Sequence, residues 1–519
     1  MARKKSGSCV GVMGSVEGPL ARIVIEATLA RRIGARPLVS ARSALATASC
    51  SVGSVRVQDM DSLGKETVLA LDLGTTSAKA LVIGLDGRVF ARAEEPIETA
   101  HPAPGVAEQD VEQALEAARR AVVSVASLCG GRPGALVLAC AMHGVVPLDR
   151  DSRPLAPMRT WADARGESIA QELRATDAWR GLQERTGTPV HASSPMCKIA
   201  AMCRHDRDLF GAAASFVSLK EFVLRRIADA PIVDASLASA TGMMDLARGD
   251  WDDNALAHAG IDASRLSRIV SPRHVETGWR NGMAARFGLD ARTPIVIGGS
   301  DGCLANLGLG AVRHGIAAAS FGTSAAVRVA TRRPRVRADS GLFCYVLDDG
   351  VWITGAAVND MGNAVQWLAD LLFAEAPPSR RVSALIEAAG GVPEGARGAR
   401  FVAGLAGSRF PDYQAVPRGT FSGLALAHGR NELARALLEG VAAQLAGPVD
   451  VLRAEGHEVS VLRVGGGLTR SRVFRAILDP RAGAPIDGVD VPDATAQGAA
   501  ILARAALDGR PLEGVESLR

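Results

Sequence analysis

Two short polar turns carry residue types that can hold phosphate groups. The first, residues 72–77 with the sequence DLGTTS, lies between the apolar runs 68–71 and 80–83, which are typical of two strands. Its glycine lets the backbone approach a ligand closely, and its hydroxyls and free N–H groups can hold phosphate oxygens. Asp72 is suited to Mg²⁺, usually through water, and Lys79 supplies a nearby positive charge. The chain lacks a Walker A pattern, so another kind of phosphate loop is indicated.

The second turn repeats the first. Residues 316–329 (IAAASFGTSAAVRV) are again two apolar runs, joined here by Gly322, Thr323 and Ser324. Each turn alone could be an ordinary hairpin turn rich in glycine and threonine. Two copies of a strand–turn–strand unit favour an internally duplicated fold whose two phosphate-binding turns face one cleft. Only the first copy contains an acidic residue, Asp72, so the metal is predicted on that side.

Further polar residues follow a predicted buried strand at 135–141. His143 comes directly after this run, and Trp161, Asp163 and Arg165 lie close together in the next loop. A lone histidine after a strand is more often structural than functional. Because ligand sites form where the ends of successive strands meet, this combination predicts a polar ligand site.

Asp301 is the leading candidate for a general base. It lies in a glycine-flanked turn (residues 299–302) after the apolar run 294–298 and just ahead of the second phosphate-binding turn. Aspartate is common in ordinary turns. Asp301 is the leading candidate because it lies just ahead of the second phosphate-binding turn. A carboxylate there could accept the proton of an attacking hydroxyl.

Three other segments are weaker candidates. Lys198 and Lys220 each follow a serine at a predicted helix start, and for Lys220 a solvated lysine is at least as good an explanation. Residues 465–467 are three glycines after the predicted strand 461–464, where a backbone without side chains could lie flat against a nucleoside. Helical spacing also predicts helices at 108–128, 433–452 (kinked or broken at Pro448), 471–478 and 495–507.

Composition excludes several classes of protein. The chain has 519 residues, which predicts two domains, and its net charge of +4 without a basic stripe argues against nucleic-acid binding. Eight cysteines without a CxxC pair fit reduced thiols in a cytoplasmic protein. No apolar run is long enough for a transmembrane helix.

Residues 1–64 differ from the rest, being basic and rich in Ser, Ala and Arg. They could be a disordered or regulatory arm, a targeting peptide, or translated sequence upstream of a true start at Met60. We favour the last, because Met60 lies just before the first predicted core strand. Peptides from before Met60 in the native protein would contradict it.

From residue 65 onward the chain resembles the FGGY carbohydrate kinases of the actin, hexokinase and heat-shock ATPase superfamily. The motifs DLGTTSAKA, GGSDG, FGTSA and VGGGLTRS follow in the family's order. Segments such as AMHGVVPLD, TWADARGE and RTGTPVHASSP are most similar to gluconokinases. The resemblance implies an α/β fold with two actin-like (ribonuclease H-like) domains and an interdomain cleft. We expect these domains at 65–312 and 313–511, with a tail at 512–519.

The resemblance also implies roles for individual residues. Asp301 would be the base, and Asp72 would help hold Mg²⁺. A gluconate carboxylate would need a cation, which Arg165 or Lys198 could supply. The implied phosphate contacts are Asp72, Gly74, Thr75, Thr76, Ser77, Lys79, Gly322 and Thr323; the implied nucleoside contacts are Asn359, Gly465, Gly466 and Gly467; the implied substrate contacts are His143, Trp161, Asp163, Arg165, Lys198 and Asp301.

The expected activity is ATP-dependent and Mg²⁺-dependent phosphorylation of D-gluconate to 6-phosphogluconate. Another polyol, ketose or aldonate, such as xylulose, is the first alternative. A non-catalytic sugar-binding regulator is disfavoured by the pair Asp72 and Asp301, and a chaperone-type ATPase by the 161–165 cluster. We expect a small-molecule sugar acid or polyol and ATP as partners, with no nucleic acid and no membrane, and leave the oligomeric state open, a homodimer included.

Two departures from the family pattern stand out. Residues 406–411 are Ala-Gly-Ser-Arg-Phe-Pro where many members have Gly-Glu-Arg-Ala-Pro, so an acidic residue is lost. Asp360 and Asn363 stand where relatives often have small residues, which could change nucleotide affinity.

Overall fold

The computed structural model describes residues 49–52, 66–334, 336–413, 417–489 and 491–518. The predictions for residues 1–48 and 53–65, including the proposed start at Met60, lie outside the described residues. Strand β1 (Ser49–Val52) pairs antiparallel with the strand Val89–Pro96. These four residues of the predicted extension therefore belong to the edge of a sheet.

The first lobe contains fifteen strands and ten α-helices among its described residues. Its other strands are β2 (Thr67–Leu73), β3 (Ser77–Gly84), β4 (Val89–Pro96), β5 (Glu108–Gln109), β6 (Ala135–Cys140), β7 (Val146–Leu148), β8 (Met158–Arg159), β9 (Ser215–Val217), β10 (Ile232–Asp234), β11 (Met244–Asp245), β12 (Asp250–Trp251), β13 (Arg268–Val270), β14 (Val275–Glu276) and β15 (Ile295–Ser300). Its helices are α1 (Val111–Ala126), α2 (Glu167–Arg174), α3 (Ala178–Thr186), α4 (Pro195–His205), α5 (Arg207–Ala212), α6 (Leu219–Ile227), α7 (Ala235–Ser239), α8 (Asp253–Ala259), α9 (Met283–Arg286) and α10 (Asp301–Gly308).

The second lobe follows from residue 316. Its strands are β16 (Ile316–Phe321), β17 (Ala325–Thr331), β18 (Phe343–Asp348), β19 (Val351–Val358), β20 (Arg400–Val402), β21 (Thr420–Ser422), β22 (Val461–Gly466) and β23 (Ile486–Gly488). Its helices are α11 (Gly362–Leu372), α12 (Arg381–Gly390), α13 (Arg430–Ala443), α14 (Ala446–Ala454), α15 (Arg472–Leu478) and α16 (Ala494–Asp508).

The main sheet of the first lobe brings strand ends together at one edge. Its order is β1-β4-β3-β2-β6-β15-β14, in which β2, β6 and β15 are parallel neighbours. In this register Asp72 lies opposite Ala139, and Cys140 lies opposite Ser300. The residues that follow β6 and β15 therefore lie at the same edge as the first polar turn, as expected where parallel strands end.

The main sheet of the second lobe repeats this plan. Its order is β18-β19-β17-β16-β22-β23, with β16 antiparallel to β17 and parallel to β22. In both lobes an antiparallel strand–turn–strand unit is followed by a parallel neighbour, which confirms the predicted duplication. Phe321 pairs with Gly466, so the second polar turn and the glycine loop lie side by side.

Glycines allow helices α10 and α16 to pack closely. A Cβ atom at Gly308 would lie 1.9 Å from the carbonyl oxygen of Ala494, and one at Gly498 would lie 1.8 Å from that of Leu304. Only glycine fits at such approaches. Because α10 begins at Asp301, this contact fixes the helix that carries the predicted base against the last helix of the chain.

One helix prediction was wrong in detail. Residues 433–452 form two helices, α13 and α14, and the break falls at 444–445, before Pro448. Pro448 lies in the first turn of α14, where its missing N–H has no intrahelical partner to lose. No helix in the described part of the chain is long and apolar enough to cross a bilayer.

Candidate functional site

Asp72 occupies the penultimate position of β2 and presents a carboxylate oxygen without a protein partner. Its Oδ1 atom is buried and accepts no hydrogen bond from the described residues. Burial and the charge of Asp301 raise the pKa of Asp72 to about 7, while Lys79 acts in the opposite direction. An oxygen of this kind is a suitable ligand for a hard cation.

The rest of the first turn is held from several sides. The N–H of Gly74 donates to the carbonyl oxygen of Ser77 (3.1 Å), and Trp161 Nε1 donates to Thr75 Oγ1 (3.0 Å). The Ser77 hydroxyl donates to Glu94 (2.6 Å), so it is occupied within the protein. Lys79 lies 3.8 Å from Asp493, at the start of α16. Gly74, Thr75 and Thr76 form the accessible part of the turn, and the phosphate roles of all five residues stay predictions.

Asp301 begins α10 at the same sheet edge. Its Oδ1 accepts the N–H of Gly302 at 2.7 Å. Burial raises the pKa of Asp301, while this hydrogen bond and the positive charges of Arg328 and Arg409 oppose the rise. Both arginines belong to the second lobe. The carboxylate is therefore supported as an anion by groups from across the cleft.

The second polar turn is exposed and is held by the start of α11. The N–H groups of Gly362 and Asn363 donate to the carbonyl oxygens of Gly322 (3.0 Å) and Thr323 (3.1 Å). A Cβ atom at Gly362 would lie 2.5 Å from the Gly322 oxygen. The turn thus depends on a glycine forty residues away that sequence inspection did not select.

The glycine loop (residues 465–467) is buried at its first residue and exposed at the other two. Gly465 is buried, and a Cβ atom there would lie 3.0 Å from Leu309. Gly466 has φ of 126°, and a Cβ atom would lie 2.1 Å from the Phe321 carbonyl oxygen. Gly466 and Gly467 are exposed beside the second turn. Any contact with a ligand therefore falls to these two residues more than to Gly465.

Asp360 supports a loop that reaches the cleft. Its carboxylate accepts the N–H groups of Gly404, Leu405 and Ala406. Its neighbour Asn359 donates to the carbonyl oxygen of Ala406 (3.0 Å). Asp360 therefore acts on the shape of residues 404–406, which gives a structural reason for its departure from the family pattern.

Lys198 joins the two substrate loops. It is fully buried, and its Nζ donates to the carbonyl oxygens of His143 (2.7 Å) and Thr160 (2.5 Å). Burial lowers the pKa of Lys198 to about 7. His143 Nδ1 lies 2.8 Å from the carbonyl oxygen of Ala240, which requires a proton on that nitrogen. Burial lowers the pKa of His143 to about 3, so its ring is neutral at physiological pH and Nε2 can accept a hydrogen bond.

Arg165 is likewise engaged within the protein. Its guanidinium donates to Asp163 (2.7 Å) and to Glu108 (2.6 Å). Asp163 is fully buried in this ion pair, which lowers its pKa against the effect of burial. The sequence proposed Arg165 or Lys198 as the cation for a substrate carboxylate, and the structure commits both to protein partners.

A cleft of about 260 Å³ lies between the lobes. The first lobe contributes Trp161 and Asp163, which are two of the predicted substrate contacts, and also His191 and Ser193, for which no role was predicted. The second lobe contributes Thr323, Asn359 and Arg409. Sequence signals for the missed residues existed, since His191 lies in the segment RTGTPVHASSP and Arg409 in the family's altered Gly-Glu-Arg-Ala-Pro region.

Comparison with known families decides the class of the protein. Residues 67–308 match the N-terminal domain of the FGGY family of carbohydrate kinases, and residues 317–507 match its C-terminal domain. The chain belongs to the FGGY family. It is therefore a sugar kinase, a phosphotransferase of a family that uses ATP.

Individual relatives of this FGGY kinase differ in substrate. The chain is 33% identical to the gluconokinase of Bacillus subtilis (strain 168) over 79% of its length and 82% of the relative. It is 30% identical to the xylulose kinase of Escherichia coli (strain K12) over 84% of its length and 90% of the relative. These identities establish the sugar kinase and leave its sugar open.

Solved structures give the same picture. A gluconate kinase from Lactobacillus acidophilus matches 87% of the chain, and 91% of that structure, with a TM-score of 0.81 and 26% identity. A ligand-bound xylulose kinase from the same organism gives the same values. The two-domain FGGY fold predicted from sequence is thereby confirmed.

Proposed function

We propose that this FGGY kinase transfers the γ-phosphoryl group of ATP to D-gluconate, giving 6-phosphogluconate and ADP. The observation that carries the chemistry is the proximity of Asp72 and Asp301 at one sheet edge of the first lobe, while the second lobe presents the exposed Gly322–Thr323 turn. The 33% identity to a gluconokinase supports the substrate. Because ATP is the phosphoryl donor, the proposal includes a cytoplasmic location.

Asp301 is the base in this proposal. Phosphoryl transfer needs in-line positioning and a carboxylate beside the attacking hydroxyl more than covalent assistance. The N–H of Gly302 and the charges of Arg328 and Arg409 stabilise the ionised carboxylate that must accept the proton. His143, with an accepting Nε2, is suited to orient a substrate hydroxyl.

The residues present fit a bound Mg²⁺ ion. Asp72 offers an unpaired Oδ1, and the described residues contain no cluster of three or more His, Cys, Asp or Glu side chains that would form an all-protein metal cage. One carboxylate combined with substrate phosphates is the usual magnesium site of kinases. When bound, Mg²⁺ would neutralise charge on the ATP phosphates.

The two polar turns would hold the phosphates from opposite sides. Residues 74–76 of the first lobe and Gly322 with Thr323 of the second offer backbone N–H groups and hydroxyls at the cleft. Gly466 and Gly467 lie beside the second turn, where a nucleoside could rest on bare backbone. Closure of the lobes would exclude water, which otherwise competes with the sugar as acceptor.

Xylulose is the second candidate substrate. The 30% identity to a xylulose kinase, and a TM-score to another that equals the gluconate kinase value, favour it next. D-Gluconate carries a carboxylate at one end, whereas xylulose is neutral. Gluconate therefore requires a cation in the cleft, and xylulose does not.

An ATP-consumption assay over aldonates, ketoses and polyols, each with Mg²⁺ and with EDTA, tests the proposal. We expect turnover with D-gluconate in Mg²⁺ and none in EDTA. Preferred turnover of D-xylulose or glycerol would retain the sugar kinase and overturn the gluconate assignment. Absence of turnover with every acceptor, in correctly folded protein, would overturn the catalytic proposal.

A further inference from the structure

Arg409 places a fixed guanidinium in the wall of the cleft. Its Nε donates to Asn359 Oδ1 (2.7 Å), and its Nη2 donates to the carbonyl oxygen of Val358 (3.2 Å). The guanidinium carbon lies 5.5 Å from the ring centroid of Trp161, on the other lobe. A guanidinium above an aromatic ring is attracted electrostatically to the face of that ring. Among the described residues, no partner takes a hydrogen bond from its Nη1 atom.

The surroundings of Arg409 contain little negative charge to balance it. Asp163, the acidic residue in the cleft wall, is already paired with Arg165. His191 and His143 lie close enough for the charge of Arg409 to lower the pKa of each, in addition to burial, and both rings are neutral. The charge of Asp301 acts on Arg409, but it acts on the buried Arg328 as well. An anionic ligand would complete the charge balance of this end of the cleft.

Two reactants could bring an anion here, the acceptor and the γ-phosphate of ATP. Arg409 lines the cleft together with Trp161 and His191 of the first lobe, and its charge also acts on Asp301 and His143, two of the predicted acceptor contacts. The placement of Arg409 over Trp161, a predicted substrate contact, points the same way.

We infer that Arg409 binds the carboxylate of the acceptor and thereby selects sugar acids over neutral polyols and ketoses. The inference rests on the proposed phosphorylation of an aldonate. Arg409 of the second lobe thus takes the role that was predicted for Arg165 or Lys198 of the first lobe. The acid group of the substrate would then contact both lobes, so that the preferred substrate itself favours closure of the cleft.

The test compares D-gluconate with D-glucitol, which has the same carbon chain but a hydroxymethyl group in place of the carboxylate. In Arg409→Gln we expect KM for gluconate to rise about 10- to 100-fold, the usual effect of losing a charge-assisted hydrogen bond. The preference for gluconate over glucitol should fall by the same factor, while KM for ATP changes less than threefold. Arg409→Lys should recover part of the preference, since it keeps the charge without the two-pronged geometry.

Arg174→Gln is the matched control. This guanidinium also bridges the lobes, donating to the carbonyl oxygens of Val190 (2.8 Å) and Tyr413 (3.3 Å), but it does not line the cleft. We expect KM for gluconate to change less than threefold in this variant. Equal losses in Arg174→Gln and Arg409→Gln would attribute the effect to lobe packing and overturn the inference.

Ligand protection separates the inference from the proposed function. Without ATP, gluconate should raise the thermal midpoint of the wild type more than glucitol does, and Arg409→Gln should abolish the difference. Arg409-dependent protection without turnover of gluconate would retain the carboxylate site and overturn the proposed reaction. An increase in KM for ATP with an unchanged gluconate preference would assign Arg409 to the phosphate, and the same protection by gluconate and glucitol in wild type would also overturn the inference.

Discussion

The two strand–turn–strand units at the cleft share a residue pattern but differ in their surroundings. In the first unit, Thr75 accepts a hydrogen bond from Gln109 (2.5 Å) and another from Trp161 (3.0 Å), and Thr76 accepts one from the N–H of Ile97 (2.9 Å). The second unit is exposed at its tip. Besides the internal hydrogen bond from the N–H of Gly322 to the carbonyl oxygen of Ser324 (2.9 Å), the described residues hold it through the two N–H groups at the start of α11. One turn is braced by its lobe, whereas the other stays open.

The two lobes also differ in the charged residues that they place near the site. The first lobe places Asp72 and Asp301 at one sheet edge, and the positive charges of Arg328 and Arg409 of the second lobe act on Asp301. Arg328 is buried and donates to Ser320 Oγ at 2.7 Å. A duplicated scaffold has thus come to present carboxylates on one face and guanidinium groups on the other. Because the charge of Asp301 is supported by two arginines of the second lobe, neither lobe forms the site alone.

The largest expected effect comes from removing the first-lobe base. Asp301→Asn should lower kcat by about 10²- to 10⁴-fold, the usual contribution of a positioned general base, because an amide cannot accept the proton. Gluconate binding, measured by calorimetry, should survive, since the acceptor contacts remain. Asp290→Asn is a suitable control, because its carboxylate pairs with Arg292 on the surface (2.8 Å). An unchanged kcat in Asp301→Asn would refute the assignment of the base.

Asp72 is the next residue to change. Asp72→Asn should lower activity by roughly 100-fold at limiting Mg²⁺. The variant would hold the metal less tightly, and a bound metal stabilises the charge of the transition state by several kcal/mol. Titrating activity with Mg²⁺ measures the shift. If the variant and the wild type saturate at the same Mg²⁺ concentration, the metal is not held by Asp72.

The raised pKa of Asp72 predicts a pH dependence of metal binding. Its pKa of about 7 means that the carboxylate is largely protonated at pH 6 and largely ionised at pH 8. Because Mg²⁺ binds the ionised form, the apparent affinity should increase as pH rises through 7. In the unfolded chain Asp72 loses its proton near pH 4, whereas in the metal-free folded protein it keeps the proton until about pH 7. The free energy of unfolding should therefore fall as pH rises from about 4 to 7, and bound Mg²⁺ should offset this fall. Mg²⁺ should therefore raise the thermal midpoint more at pH 8 than at pH 6, and the dependence should disappear in Asp72→Asn.

Sequence patterns located the parts of the site that are local in the chain. Both turns are contiguous strand–turn–strand segments, and Asp301 directly follows a strand, so residue order alone placed them at sheet edges. The order of strands then brought Asp72 and Asp301 together, as parallel pairing of β2, β6 and β15 requires.

The partners of charged residues were not predictable in the same way. Arg165 is occupied by Glu108, 57 positions earlier, and Lys198 by a carbonyl 55 positions earlier. Arg409 is held in the cleft wall by Asn359 and by the carbonyl oxygen of Val358, 50 and 51 positions earlier. Whether a cation is free or occupied depends on such long-range contacts, which a residue's neighbours in sequence do not reveal.

Gly362→Ala tests the open turn of the second lobe. The added Cβ would lie 2.5 Å from the Gly322 carbonyl oxygen, so the turn must move. We expect KM for ATP to rise about 10-fold, corresponding to the loss of one good hydrogen bond to a phosphate. KM for gluconate and the Mg²⁺ dependence should change little. Gly391→Ala is the control, because a Cβ there would meet only the Ala388 oxygen at 3.7 Å. Equal effects of the two variants on ATP would contradict a specific role for the Gly362 contact.

The smallest expected effect concerns the bracing of the first turn by Trp161. Trp161→Phe retains an aromatic face for Arg409 but removes the 3.0 Å hydrogen bond to Thr75 Oγ1. A neutral hydrogen bond contributes about 1 kcal/mol, so kcat/KM should fall about fivefold. Combining this change with Thr75→Val in a double-mutant cycle isolates the contact, and the two losses should be less than additive. Strict additivity would mean that the two side chains act independently. The firmness of the first turn would then come from Gln109 and Ile97, and the acceptor loop would not be coupled to the phosphate turn through Trp161.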